Sequence, residues 1–418
     1  MNSQVEAPAE ERQDSHPLAN ILRGKVILLL ASLAAISNLS TNIILPAFPD
    51  IASQLNVTSQ ELGLTLSSFF ITYALAQLIV GPLADRYGRK RVIFGGLFVF
   101  VAGTFWASTA TTLNTLIIGR VIQGLGVCTA GVLSRAIARD LYEGETLARA
   151  LSLTMIAAAA APGFSPLIGS ILNTILGWRA LFVVVGTTAV LIAIFYVRSI
   201  GETLPASRRV THSGPAILRA YKELLTDGKF IYPALATNLL MSGLFASFGA
   251  TPAILMAGIG LTSLQMGLYF AATVFIVFAA GMAAPRLAHR FGGRPITLSG
   301  LAIAFTAGVL LLIGPKKPGL AWYSLSMVLF LWGMGLANPL GTAMTIGPFG
   351  KQSGLASALL GFLTMGLGAL STWAISMPKY LPTTLLGTTQ SIVCLLAMLS
   401  FITYIFLARK PITEPPMS

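Results

Sequence analysis

Long apolar runs alternate with short polar breaks along the whole chain. Twelve runs are long enough to cross a bilayer as helices: 25–48, 61–82, 92–110, 113–138, 147–172, 179–199, 231–257, 265–287, 296–314, 321–345, 355–377 and 385–408. Backbone polar groups inside hydrocarbon need internal partners, so the runs are predicted as helices. The breaks carry the charge. With both chain ends on one side, that side collects 21 Lys and Arg residues and the other collects 4, leaving Arg120 and Arg135 within a span. Short basic loops face the cytoplasm, so both termini are predicted to be cytoplasmic.

The polar stretch 200–230 divides the spans into six and six. The expected organisation is a disordered cytoplasmic tail at 1–24, a six-helix bundle at 25–199, the linker 200–230, a second six-helix bundle at 231–408 and a tail at 409–418. In the linker, Ile217, Leu218, Tyr221, Leu224 and Leu225 share a helical face. That pattern fits either an amphipathic helix on the inner leaflet or an ordinary solvated linker. Each half also contains one version of the same turn. Leu83–Val92 (Leu-Ala-Asp-Arg-Tyr-Gly-Arg-Lys-Arg-Val) aligns without a gap with Leu287–Ile296 (Leu-Ala-His-Arg-Phe-Gly-Gly-Arg-Pro-Ile). The duplication predicts two similar bundles.

Composition narrows the chemistry. Of 418 residues 55% are hydrophobic and 10% charged, against roughly 25% charged in soluble domains. The net charge of +13 is spread over short loops, which argues against nucleic acid as a partner. Cys128 and Cys394 lie in separate apolar runs, so neither a disulfide nor a metal framework is expected, and no cofactor. The fourteen acids all fall in tails, loops or span ends, and none of His16, His212 and His289 is mid-membrane. That inventory lacks the embedded nucleophile, base or ligand set an enzyme requires, and it lacks a conventional proton carrier.

Arg120 stands out because it lies about seven residues inside its span, roughly 10 Å deep. A guanidinium there costs at least ~2.5–3.5 kcal/mol on insertion scales, so it must meet a polar cavity or partner groups. It is either a substrate or coupling residue, or a structural arginine bonded to carbonyls and Asn or Gln side chains. Asn38 and Asn42, four apart, share a face of the first helix. Arg135 lies near the cytoplasmic end of the same span as Arg120, where snorkelling or pairing with Asp140 accounts for it.

The turn Asp85-Arg86-Tyr87-Gly88-Arg89-Lys90 after the second of twelve spans resembles the signature of the major facilitator superfamily. Arg120-Val121-Ile122-Gln123-Gly124-Leu125-Gly126 resembles its Arg-x-x-Gln-Gly-x-Gly motif, and Ala161–Ser170 a loosened form of its antiporters' Pro/Gly motif. Ser134–Tyr142, Gly177–Phe182 and Gly201–Leu204 are similar to the bicyclomycin and chloramphenicol resistance branch (Bcr/CflA). The resemblance implies an all-α fold of twelve transmembrane helices in two six-helix bundles, in the bacterial inner membrane. Its implied function is export of drug-like small molecules by alternating access. The alternatives are a metabolite or carboxylate-siderophore exporter, and a facilitator without proton coupling. A non-transporting sensor of the same fold is a further class.

The resemblance also implies roles. The first, fourth, seventh and tenth helices line the path in this superfamily, which nominates Asn38, Asn42, Arg120, Gln123, Asn238, Met241, Phe245, Phe248, Trp332 and Asn338 for substrate or coupling. Asp85, Arg86, Gly88, Arg89, Asp140, Glu143 and Arg290 are nominated for a charged gate, with Arg89 reaching Asp140 or Glu143. Pro162, Gly163, Pro166 and Gly169 would bend a helix at the interface of the halves. The chain departs from the branch where it carries Asn42, in place of an acid before Leu45-Pro46. The expected partners are a small-molecule substrate, the lipid bilayer and protons as a candidate coupling ion, with the protein a monomer.

Overall fold

Prolines inside the apolar runs shape the helices more than they end them. In the computed structural model, which describes residues 17–209, 214–377 and 380–407, the first span is a broken helix. Helix α1 (Pro17–Asn42) passes through a 3-10 turn at Leu45–Ala47 into α2 (Phe48–Leu55). Pro46 and Pro49 lack the amide proton that a continuous helix needs, but each fits the first turn of the next helix. The span therefore ends at Leu55 rather than at residue 48, closed by Asn56 in the left-handed region at φ 54°. The polar residues Asp50, Ser53 and Gln54 disguise this last piece as a loop.

The remaining spans follow the predicted order: α3 (Gly63–Tyr87), α4 (Arg89–Ser108), α5 (Leu113–Leu141), α6 (Gly144–Leu176) and α7 (Trp178–Ser199), then α9 (Gly228–Thr251), α10 (Ser263–Phe291), α11 (Gly293–Ile313), α12 (Leu320–Ile346), α13 (Ser353–Ile375) and α14 (Pro382–Leu407). Among the described residues, twelve helical segments have the length and apolar composition to cross a membrane. Helices α5 and α10 open with the same device, a capping box of Thr112 with Thr115 and of Thr262 with Gln265. Helix α9 leads into a π-helical turn, Pro252–Gly258. The N-terminal tail expected at 1–24 is helical from Pro17; its earlier residues and the tail at 409–418 lie outside the described residues.

Two six-helix bundles result. In the first, α5 packs on α4, α3 and α1, and α1 on α6; in the second, α9 packs on α14 and α13, and α11 on α12 and α14. The bundles meet along two helix pairs, α3 with α13 and α6 with α10. Small residues permit the second pair: a Cβ on Gly163 would collide with Val274, and one on Gly267 with Ser170 and Leu167. Pro162 and Pro166 lie inside α6 without ending it.

The linker forms helix α8 (Gly214–Thr226), and its apolar face is divided. Tyr221 and Leu224 are buried against Phe230, Ala234 and Leu359, and the Tyr221 hydroxyl donates to the Leu78 carbonyl at 3.2 Å. Leu218 points away, 71% exposed. The helix is thus docked on α9 and α13 and bonded to α3, which neither sequence alternative described.

Candidate functional site

The end bearing the turns at Gly88 and Gly292 is called the basic end here, and the opposite one the far end. Between the bundles, a cavity of about 280 Å3 lies among α1, α3, α5, α6, α12 and α13. It shares Gln77, Arg135 and Ser357 with a second space of about 510 Å3, which reaches the basic end beside Asp85, Arg139 and α8. The inner cavity is amphipathic. Asn38, Tyr73, Gln77, Ser134, Thr154 and Thr364 supply polar groups; Met155, Ala158, Leu360 and Met365 supply apolar surface. Among the described residues, Arg135 is its one charged lining residue.

At the far end the bundles touch. Phe70 of α3 meets Phe245 of α9 at 4.6 Å between ring centroids. Phe245 continues to Phe248 at 6.1 Å, and Phe248 to Phe270 at 6.0 Å. Such tilted and edge-on pairs are favourable beyond their buried area. Polar stitches accompany them: Gln60 donates to the Ile375 carbonyl at 2.9 Å, and the Ser263 hydroxyl to the Pro46 carbonyl at 3.2 Å. The path is closed there and hollow toward the basic end.

Arg120 lies away from the cavity wall, only 1% exposed. Its Nη1 donates to the Ser40 carbonyl at 2.9 Å and to Gln123 Oε1 at 3.0 Å, its Nη2 to the Thr41 carbonyl at 3.3 Å, and its Nε to the Thr65 carbonyl at 3.4 Å. Its guanidinium stacks over Phe69, 4.3 Å from the ring centroid. The geometry explains the residue type. Helix α1 gives up its hydrogen bonding just beyond Asn42, leaving carbonyls at Ser40 and Thr41 to be satisfied inside the bundle. A planar fork with five donors can serve several at once. Gln123 completes the set by donating to Thr104 Oγ1 at 2.9 Å.

The other nominated residues divide by position. Asn38 lines the cavity and donates to the Ala34 carbonyl at 3.1 Å. Asn42 is buried at the end of α1, its Oδ1 without a partner. Asn238 sits behind the wall, where its Oδ1 accepts from Thr364. Phe245 and Phe248 belong to the far-end closure. Met241, Asn338 and Trp332 do not line the cavity, and Trp332 is 37% exposed. Gln77 is a wall residue that the sequence reading missed. Its signal was a lone amide in the middle of an apolar span, on a helix outside the nominated four.

The charged turn in the first half is a compact network. Arg89 Nη1 meets Asp85 Oδ1 at 2.6 Å, and its Nε meets Asp140 Oδ2 at 3.0 Å. Its backbone amide donates to Glu202 Oε1 at 2.9 Å. Glu202 also accepts from the Leu204 amide at 3.1 Å and approaches Arg209 at 3.7 Å, while the Thr203 hydroxyl donates to Asp140 at 3.1 Å. Gly88, at φ 95°, lies so close to Glu202 that a Cβ would strike its carboxylate. Asp140 is therefore held by Arg89, not by Arg135. Glu143, Arg86 and Arg290 stay outside the network; the two arginines stack on Tyr87 and Phe291 at 5.1 and 5.2 Å. In the Pro/Gly motif, Gly163 faces α10, and Gly169 lies against the Ile43 carbonyl at the break after α1.

The described residues contain no group of three or more His, Cys, Asp or Glu that could hold a metal. The family model described as Major Facilitator Superfamily matches residues 30–372. The chain is 33% identical to multidrug resistance protein D of Escherichia coli over 65% of its own length and 66% of the relative's. It is 28% identical to a bicyclomycin resistance protein homolog of Haemophilus influenzae over 67% of its length and 70% of that protein's. Among solved structures, a D-xylose–proton symporter superimposes with a TM-score of 0.69 at 16% identity, covering 90% of this chain and 97% of that one. The fold, the paired bundles and the family match agree: the chain belongs to the major facilitator superfamily.

Proposed function

We propose that the protein is a secondary transporter that exports drug-like small molecules from the cytoplasm by alternating access, and that it is not an enzyme. The observation that carries this reading is the amphipathic cavity between two bundles, closed by aromatic rings at the far end and continuous with the basic end. Two bundles in contact along α3–α13 and α6–α10 can rock about that midline, so that the cavity faces one side and then the other. The relatives named for multidrug and bicyclomycin resistance support drug-like cargo.

The same proposal assigns the basic end to the cytoplasm of a bacterial inner membrane, from the loop charges. It takes residues 25–199 and 231–408 as the moving units, the linker 200–230 as their tether, and a monomer as the working form. The Asp85–Arg89–Asp140 network serves as the gate: Asp85 faces the start of α13 across the outer cavity, where Gln352, Gly354 and Leu355 lie. Closure of the basic end would bring that carboxylate to the positive end of a helix.

A facilitator without proton coupling is the second reading, favoured by one observation. Among the described residues, the acids on the cavity wall are Asp85 and Asp140, both bonded to Arg89 at the basic end, and the inner cavity has none. Proteoliposomes separate the two. Uphill accumulation of a lipophilic drug driven by an imposed pH gradient is expected for the antiporter. Flux that only dissipates a drug gradient supports the facilitator. Absence of drug flux in either mode overturns both.

A further inference from the structure

The inner cavity sets one guanidinium against no carboxylate. Arg135 projects from α5 into the space shared by both parts of the cavity, and it has no ion-pair partner among the described residues. The neighbouring acids are taken: Asp140 accepts from Arg89 and Thr203, and Asp85 is bonded to Arg89. Arg120, the deeper arginine, is satisfied by carbonyls and Gln123 and offers the cavity nothing. Arg135 is exposed to the cleft, and an unpaired cation between low-dielectric walls attracts an anion more strongly than it would at an open surface. Around it lie Asn38, the Tyr73 hydroxyl and Gln77, whose buried Oε1 has no partner. Met155 and Ala158 of α6 and Leu360 and Met365 of α13 supply apolar surface to the same space.

We propose that Arg135 is the cargo-recognition residue, and that the cavity takes an amphipathic anion: an acidic head on the guanidinium and an apolar body between the Met155 side chain of α6 and the Leu360 and Met365 side chains of α13. The inference rests on the transporter reading for its meaning as cargo, but the site itself can be tested by binding alone. Acidic heads of this chemistry occur on free organic acids and on anionic lipids alike, and the test has to tell these apart.

The test uses the full chain in neutral detergent, with fluorescein as the anionic probe and rhodamine 6G as the cationic one, read by fluorescence anisotropy. Fluorescein is expected to bind wild type, and Arg135→Gln to weaken it roughly tenfold or more, as removal of one partner from a charge-assisted pair does. Arg135→Lys should recover part of the affinity, and Arg198→Gln, on the outside of α7, should leave it unchanged. Competition by phosphatidylglycerol but not by phosphatidylcholine would assign the site to a lipid head group; indifference to both would assign it to free organic acids. Unaltered fluorescein binding by a folded Arg135→Gln protein, or tighter binding of rhodamine 6G than of fluorescein to wild type, overturns the proposal. Flux in phosphatidylcholine proteoliposomes then separates the two claims. Arg135-dependent binding without flux keeps the site and removes the transporter reading, whereas cation flux without anion binding does the reverse.

Discussion

The turn at Gly88 and the turn at Gly292 share a backbone and differ in almost everything attached to it. Both glycines stand at nearly the same angle, φ 95° and φ 90°, and both join two long helices. Around Gly88, Asp85, Arg89, Asp140, Thr203, Glu202 and Arg209 form one network. Around Gly292, His289 replaces the acid, and Arg290 lies over Phe291. All ion pairs among the described residues lie in the first half and the linker behind it. Close approach of small residues serves both halves, as at Gly126 against Phe100 and Gly300 against the Gly333 carbonyl. Duplication kept the fold, while among the described residues the ion pairing became one-sided.

The largest test of that asymmetry is Arg120→Ala. Carbonyls of Ser40, Thr41 and Thr65 would lose a charged donor in the bundle interior, each such bond contributing roughly 1.5–3 kcal/mol. A destabilisation of about 3 kcal/mol or more is expected in thermal unfolding in detergent. Arg294→Ala in the second half, where the guanidinium only stacks on Tyr404 at 5.7 Å, should cost about 0.5 kcal/mol or less. Equal losses would dissolve the comparison.

The two glycines sharpen it. Ala at either position is strained by about 1 kcal/mol at positive φ. At position 88 the methyl group also displaces Glu202 from the amides of Arg89 and Leu204. Gly88→Ala is therefore expected to cost about 2 kcal/mol and Gly292→Ala about 1 kcal/mol on the same assay. Smallest of all is His289→Asp, which restores the acid to the second turn. Gly293 stands where Arg89 stands in the first turn, so the restored acid lacks the i,i+4 cation that Asp85 pairs with, and the change should stay within roughly 0.5 kcal/mol. A gain beyond that would mean the second turn keeps a latent network.

Much of the fold was legible because hydrophobic length and loop charge are local quantities. The twelve spans, the six-and-six division and the repeated turn all come from them. The extension of the first span through α2 was not, since Asp50, Ser53 and Gln54 read as solvent-facing; in the structure Asp50 bonds Asn173, and Gln54 accepts from Trp178 at 2.9 Å. Arg120 was recognisable as buried, but both of its readings required polar neighbours, and only tertiary geometry separates a carbonyl cage from a cavity. The Arg89–Asp140 pair was anticipated. Glu202 was noticed as part of Gly201–Leu204, a stretch similar to the resistance branch, yet its grip on the Arg89 amide depends on the linker folding back, which spacing cannot reveal. Gln77 and Arg135 were overlooked as wall residues because which face of a nearly all-apolar helix looks inward is set by its neighbours.

The far-end closure of Phe70, Phe245, Phe248 and Phe270 has a thermodynamic consequence. Its strength comes mainly from apolar area and ring contacts, which salt screens little and moderate warming strengthens. At the basic end salt weakens the exposed charges, Asp85 and the loop Lys and Arg residues among them, and screens the mostly buried Arg89–Asp140 pair much less. Ionic strength and temperature thus act on different ends of the same molecule. Raising salt should loosen the basic end while leaving the far end shut, and cooling should relax the far end while leaving the charges in place. Two ordinary laboratory variables become independent handles on the two doors.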